Sequence, residues 1–123
     1  MTGKPEKRPK IETLSKDKIS LSAEEFQNQT LRPILKMKNE ILLAFFKSHI
    51  EKKKIKWSGI NKEKKETFIY DSLNKDHNFK NAIIHLIAGN FTIEEYHLYA
   101  KNQKENNKRI WKMFQQRIFS QLI

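Results

Sequence analysis

The sequence predicts an all-α protein: a small antiparallel helical bundle in which two long helices flank two short ones, behind a disordered basic N-terminal arm. Three observations predict it. No valine occurs in 123 residues, although β-branched side chains are what a pleated core packs best. Glycine and proline number three each, and neither occurs after Gly89. Capping residues recur at Ser22, Asn61, Asp76 and Thr92, each ahead of apolar residues at helical spacing.

Residues 1–21 carry six basic residues, three acidic ones and two prolines, with too few apolar groups to offset the entropy of ordering. They read as the arm, and 22–123 as one helical domain. Ser22-Ala23-Glu24-Glu25 is a capping box, with Leu21 and Phe26 at the staple positions. Pro33 lacks a backbone donor and crowds the turn before it, so the helix either kinks there or restarts with Thr30 as its cap. Apolar residues at Ile34, Leu35, Ile41, Leu42, Phe45, Phe46, His49 and Ile50 carry the first long helix to Lys52-Lys53-Lys54, cations that suit a helix C-terminus.

Trp57 to Ile60 form a connection, and Asn61 caps a second helix to about Asn74 with Phe68, Ile69 and Leu73 inward. Asp76 caps a third helix, whose inner side is Phe79, Ala82, Ile83, Leu86 and Ile87 and whose end is expected at Gly89 in left-handed conformation. Thr92-Ile93-Glu94-Glu95 is a second capping box. Beyond it nothing interrupts the chain, which predicts a last helix roughly 45 Å long with a seam at Ile93, Tyr96, Ala100, Gln103, Asn107, Ile110, Phe114 and Ile118. Tyr96 and Tyr99 fall on different faces, one inward and one outward.

Composition excludes several chemistries. Without cysteine there is no disulfide, thiolate zinc site or cysteine nucleophile, and three glycines leave no room for a phosphate-cradling loop. No segment reaches the ~18 apolar residues that span a bilayer, and no apolar stretch follows the basic N-terminus as a secretion signal would require. A soluble cytoplasmic protein without membrane contact or cofactor is the expectation.

The large apolar residues of the final segment spread widely. Ile110, Trp111, Phe114, Ile118 and Leu122 fill about 120° of the helix, and Met113, Phe119 and Ile123 widen the set towards roughly 240°, where a surface helix needs little over ~100°. The two short helices can cover part of this surplus; a second copy is the other natural cover, which predicts a homodimer through the long helices with Ile110, Trp111, Met113, Phe114, Ile118, Phe119 and Leu122 at its interface. The main functional expectation is accordingly a non-catalytic interaction or structural protein.

Charge supplies the alternative. The formal net charge is +11, and residues 51–66 hold seven lysines against three glutamates. Lys52, Lys53, Lys54 and Lys56 could contact phosphates, with Trp57 stacking on a base, as in weak nonspecific nucleic-acid binding. The count of 21 Lys to 4 Arg argues against sequence reading, since arginine is the usual reader of base edges.

The histidines offer a third reading. In an up-down-up-down bundle, His49, His85 and His97 each lie about one turn from the same end, near Glu94 and Glu95, where three imidazoles and a carboxylate could hold zinc. The segments 28–36, 89–96 and the closing 109–122 resemble those of a family of small, uncharacterised bacterial helical proteins whose members often carry the label glyoxalase. That resemblance implies a metal-dependent glyoxalase-type enzyme. The paired βαβββ module of true glyoxalases holds its His and Glu ligands on strands, which this sequence does not supply.

Overall fold

The computed structural model describes residues 22–122, so the expected arm lies outside the described residues. Those residues are helical almost throughout, with no strand among them. Ser22 Oγ accepts from the Glu25 N–H at 3.1 Å while Glu25 Oε1 accepts from the Ser22 N–H at 2.9 Å, the expected capping box. It opens α1 (Ala23–Phe26), which continues through a π-turn (Gln27–Leu31) into α2 (Arg32–Met37) and then α3 (Asn39–Lys52).

The π-turn answers the question posed by Pro33. Leu31 and Arg32 both stay right-handed helical, and the Arg32 N–H donates to the carbonyl of Gln27, five residues back. A turn widened by one residue draws the preceding carbonyls away from the proline ring, so the helix absorbs Pro33 without stopping. Thr30 is therefore no cap. It is buried inside the π-turn, and its hydroxyl donates to Glu95 Oε2 at 3.4 Å. The break comes later, at Lys38 (φ −98°, ψ 16°).

The end of α3 is a Schellman motif. The Ile55 N–H donates to the Ile50 carbonyl at 3.1 Å and the Lys54 N–H to that of Glu51 at 2.9 Å, with Ile50 buried and Ile55 against the core. Lys54, at φ 58°, occupies the left-handed position that glycine fills without strain. Lys54→Gly is therefore expected to stabilise the fold by about 0.5–1 kcal/mol, less than the strain it removes because glycine also loosens the unfolded chain. Urea unfolding checks this by a raised midpoint at unchanged slope.

A 3₁₀ turn (Trp57–Gly59) leads to α4 (Lys62–Thr67), capped by Asn61, whose Oδ1 accepts from the Lys64 N–H at 2.8 Å. A second π-turn (Phe68–Ser72) and a 3₁₀ turn (Leu73–Lys75) follow, with Ile69 and Leu73 buried as expected. Asp76 caps α5 (His77–Ala88) by accepting from the Phe79 N–H at 3.2 Å. Phe79, Ile83, Ile84 and Ile87 are its buried residues.

Gly89 departs from expectation. Its φ is −63°, not left-handed, and the chain turns instead through the Asn90 and Phe91 N–H groups, which donate three residues back. A side chain there would bring a Cβ within 3.3 Å of the His85 carbonyl, so crowding is what favours glycine.

The last helix is also not continuous. α6 (Ile93–Lys101) ends at Asn102 (φ −143°, ψ 58°), and α7 (Gln103–Leu122) begins anew. Asn106 supports the break: its amide donates to the Tyr99 carbonyl at 3.1 Å, while the Tyr99 hydroxyl donates to Asn107. The break resets the helical phase, so the expected seam fails in α6. Ile93 is 73% and Tyr96 49% exposed, while Glu95, Leu98 and Tyr99 are buried.

The break also changes direction. Arg109 donates to Gln27 at 2.7 Å, and Arg117 and Gln121 donate to Asn39 at 3.2 and 2.7 Å, so α1–α2 and α7 run the same way, not antiparallel. Between α7 and the second helical stretch the order is opposite. Trp111 Nε1 donates to Asn74 at 2.8 Å, and Gln115 reaches the Ile69 carbonyl at 2.9 Å.

That arrangement covers α7. Ile110, Trp111, Phe114 and Ile118 are at most 3% exposed, and Met113, Phe119 and Leu122 pack partly buried against the same core. Of the residues expected at a dimer interface, Ile110, Trp111, Phe114 and Ile118 are thus shielded within the chain, and Met113, Phe119 and Leu122 partly so. The reason is packing on several sides: Phe79 of α5 lies 6.2 Å from Trp111 and 6.0 Å from Phe114, and Tyr70 lies 5.6 Å from Phe119.

Candidate polyanion-binding surface

Lysines gather where α3 ends, because a helix C-terminus carries partial negative charge and favours cations in its last turn. Lys52 and Lys53 close α3, Lys54 holds the left-handed position and Lys56 follows; all four are exposed. α4 starts close by and adds exposed Lys62 and Lys64. Lys65 is drawn inward, its Nζ 5.5 Å from the centre of the Trp57 ring. Among the described residues, Lys53 alone of these seven has a carboxylate in ion-pair reach, Asp76 at 3.6 Å.

Trp57 does not fit the base-stacking role. Its ring lies edge-on to Phe46 at 5.4 Å and to Phe68 at 5.8 Å, beneath Lys65. Its Nε1 is buried with no partner among the described residues. The indole closes the end of the core, so the lysines are left as the groups that can meet a ligand.

Beside them is an open groove of about 480 Å³ lined by His49, Lys53, Ser72, Lys75, Asp76 and His77, with Phe68 and Leu73 on its apolar wall. His49 stacks on Phe79 with ring centres 4.3 Å apart, and its Nε2 stands 3.1 Å from Asp76 Oδ2 in poor alignment. Burial holds the His49 pKa below its ordinary value, outweighing the attraction of Asp76, and the neighbouring Lys53 and Lys52 push the same way. The imidazole is therefore largely neutral at pH 7. Burial pushes the Asp76 carboxyl up, but the Phe79 N–H together with His49 and Lys53 outweighs it, so the group ionises below its ordinary value. With His49 neutral and Asp76 answered by Lys53, the surface keeps its positive balance.

Both shifts make folding sensitive to acid. The unfolded chain binds a proton at its histidine before folded His49 does, so that contribution is complete above about pH 6.5 and is lost as the pH falls towards the lowered native value. The Asp76 contribution is complete above about 3.8 and is lost at still lower pH. Urea midpoints at pH 7.5 and 5.5 check the first window. Wild type is expected to lose more stability than His49→Phe, and an equal loss contradicts the assignment.

The metal site expected from His49, His85 and His97 does not form. Among the described residues no group of three or more His, Asp or Glu side chains is placed to hold a metal ion. The cause is topology. His49 meets Asp76 and Phe79 at the N-terminal end of α5, while exposed His85 lies about 12 Å further along that helix and exposed His97 is on α6. Glu95, expected near that site, is buried against Thr30 and Thr92 instead. Among the described residues no helix is long and apolar enough to cross a membrane.

In the sequence Asp76 reads only as a helix cap, and Lys75 and His77 are not marked as neighbours of the lysine cluster. The signal available was the run Lys75-Asp76-His77 itself, but linking it to Lys53 requires knowing that α5 begins where α3 ends. Compared with protein-family models, curated proteins and solved structures, the chain matches none.

Proposed function

We propose that this chain is a non-catalytic helical binding module that engages polyanions, nucleic-acid phosphate chains above all, through the lysine-rich end formed by α3, the Trp57 turn and α4. One observation carries the reading: Lys52, Lys54, Lys56, Lys62 and Lys64 are exposed, close in the chain and without an ion-pair partner among the described residues. Like charges held together repel, and a phosphate chain relieves that repulsion while releasing its own counterions. The absence of arginine from residues 39–67 fits binding without base reading.

Titration of a fluorescent oligonucleotide, single-stranded and duplex, across salt concentrations tests it. The expected result is micromolar affinity at 50 mM salt that weakens linearly on a log–log plot, with a slope of about −4 to −6 for duplex, as five or so neutralised phosphates require. No binding at 50 mM salt contradicts it.

A second reading keeps self-association but moves its surface. Ile41 (52% exposed) and Phe45 (37%) lie one turn apart on α3, where an apolar pair is left open to solvent. Light scattering after size exclusion checks it: a dimer that Ile41→Glu turns into a monomer supports this face, and a monomeric wild type removes it.

A further inference from the structure

Three of the chain's four arginines lie along the seam between the N-terminal helices and α7, in a protein that otherwise uses lysine. Arg109 is committed, donating to Gln27 at 2.7 Å and lying 3.8 Å from Glu105. Arg32 and Arg117 are not. Both line one groove of about 330 Å³ with Gln27, Leu35, Met113 and Gln116.

The hydrogen bonds of these two side chains go to neutral amides. Arg32 Nε donates to Asn28 Oδ1 at 3.4 Å, and an Arg117 terminal nitrogen donates to Asn39 Oδ1 at 3.2 Å. Asn39 is itself fixed by a reciprocal amide pair with Gln121, at 2.7 and 2.8 Å. Among the described residues neither guanidinium has a carboxylate within ion-pair distance. Arg117 is thus held in place, half-buried, with its charge unanswered.

A guanidinium offers five N–H donors in a rigid fork, and each of these two spends one on an amide. Two such forks in one groove, with Gln116 beside them, supply more donors than the two oxygens of a planar carboxylate can accept. They suit the three terminal oxygens and double charge of a phosphate monoester. We infer that the Arg32–Arg117 groove is a binding site for a phosphate group carried on a small molecule. It is separate from the lysine-rich end: Asn39, which holds Arg117, begins α3, and Lys52 ends it about 20 Å away.

Calorimetric titration with inorganic phosphate, ribose 5-phosphate and acetate tests this, with urea unfolding confirming that each variant is folded. The expected result is saturable binding of both phosphates, at least tenfold weaker acetate binding, and at least a tenfold loss in Arg32→Gln and Arg117→Gln. Arg32 is exposed, so its variant reads binding without a packing change. Tighter binding of ribose 5-phosphate than of inorganic phosphate supports a carried phosphate; equal binding contradicts it and leaves the free anion as the ligand. Binding unchanged by both arginine variants, or acetate binding as tight as phosphate, overturns the inference. So does a loss equalled when Lys52, Lys54 and Lys56 are replaced by glutamine, since that result means diffuse charge alone.

Discussion

Phe114→Ala is expected to destabilise the protein by about 3–5 kcal/mol and to lower its thermal midpoint by roughly 15–30 °C. Phe114 is fully buried and stacks on Trp111 at 5.4 Å, with Phe79 at 6.0 Å. Those rings belong to α7 and α5, and α7 is fixed further to the two turns ahead of α5 by the Trp111–Asn74 and Gln115–Ile69 hydrogen bonds. A framework held in that way cannot collapse into the space a phenyl ring leaves, and the unfilled cavity adds to the lost transfer energy. Domains of this size have only about 5–15 kcal/mol to lose, so the variant is expected near the edge of folding. Thermal unfolding followed by circular dichroism checks it. A loss below 1 kcal/mol would mean that α7 is not the centre of the core.

The second large effect concerns binding. Replacing Lys52, Lys53, Lys54 and Lys56 together by glutamine removes three of the five unpaired lysines and is expected to lower the log–log salt slope for duplex by about 2–3 and to weaken affinity at 50 mM salt by about a hundredfold or more. Stability should hardly change. The four side chains are exposed, and the Lys53–Asp76 pair lies at the surface, where such pairs contribute little. A variant that binds as wild type does, with the same slope, places the phosphate contacts elsewhere.

The sequence revealed local structure better than arrangement. The capping boxes at Ser22 and Thr92 and the caps at Asn61 and Asp76 were legible because each depends on a side chain reaching a backbone N–H three residues away. The split of Tyr96 from Tyr99 followed from helical angle alone. The π-turns at 27–31 and 68–72 left no such mark, since one additional residue in a turn changes the phase of the apolar pattern without changing its character. Asn102 interrupts the last helix without glycine or proline, and the break is held by Asn106 on the Tyr99 carbonyl, seven residues back, a contact that no helix-breaking residue announces.

The zinc site failed for that one reason. It assumed an up-down-up-down bundle, whereas the pairs Gln27–Arg109 and Asn39–Gln121 set the first and last helices side by side in one direction. With α7 redirected, its surplus apolar residues find cover within the chain, and the three histidines are separated. The exposure of the lysine cluster needs no topology: consecutive cations after a helix end are exposed wherever that end points.

Nuclear magnetic resonance of the labelled full chain, titrated with a short single-stranded oligonucleotide at low salt, tests the central claim most directly. The expected result is saturable shifts concentrated in the amides of 51–66 and in Lys75 and His77, fading as salt is raised. Shifts spread evenly over α6 and α7, or none at all at several-fold excess of oligonucleotide, would contradict it.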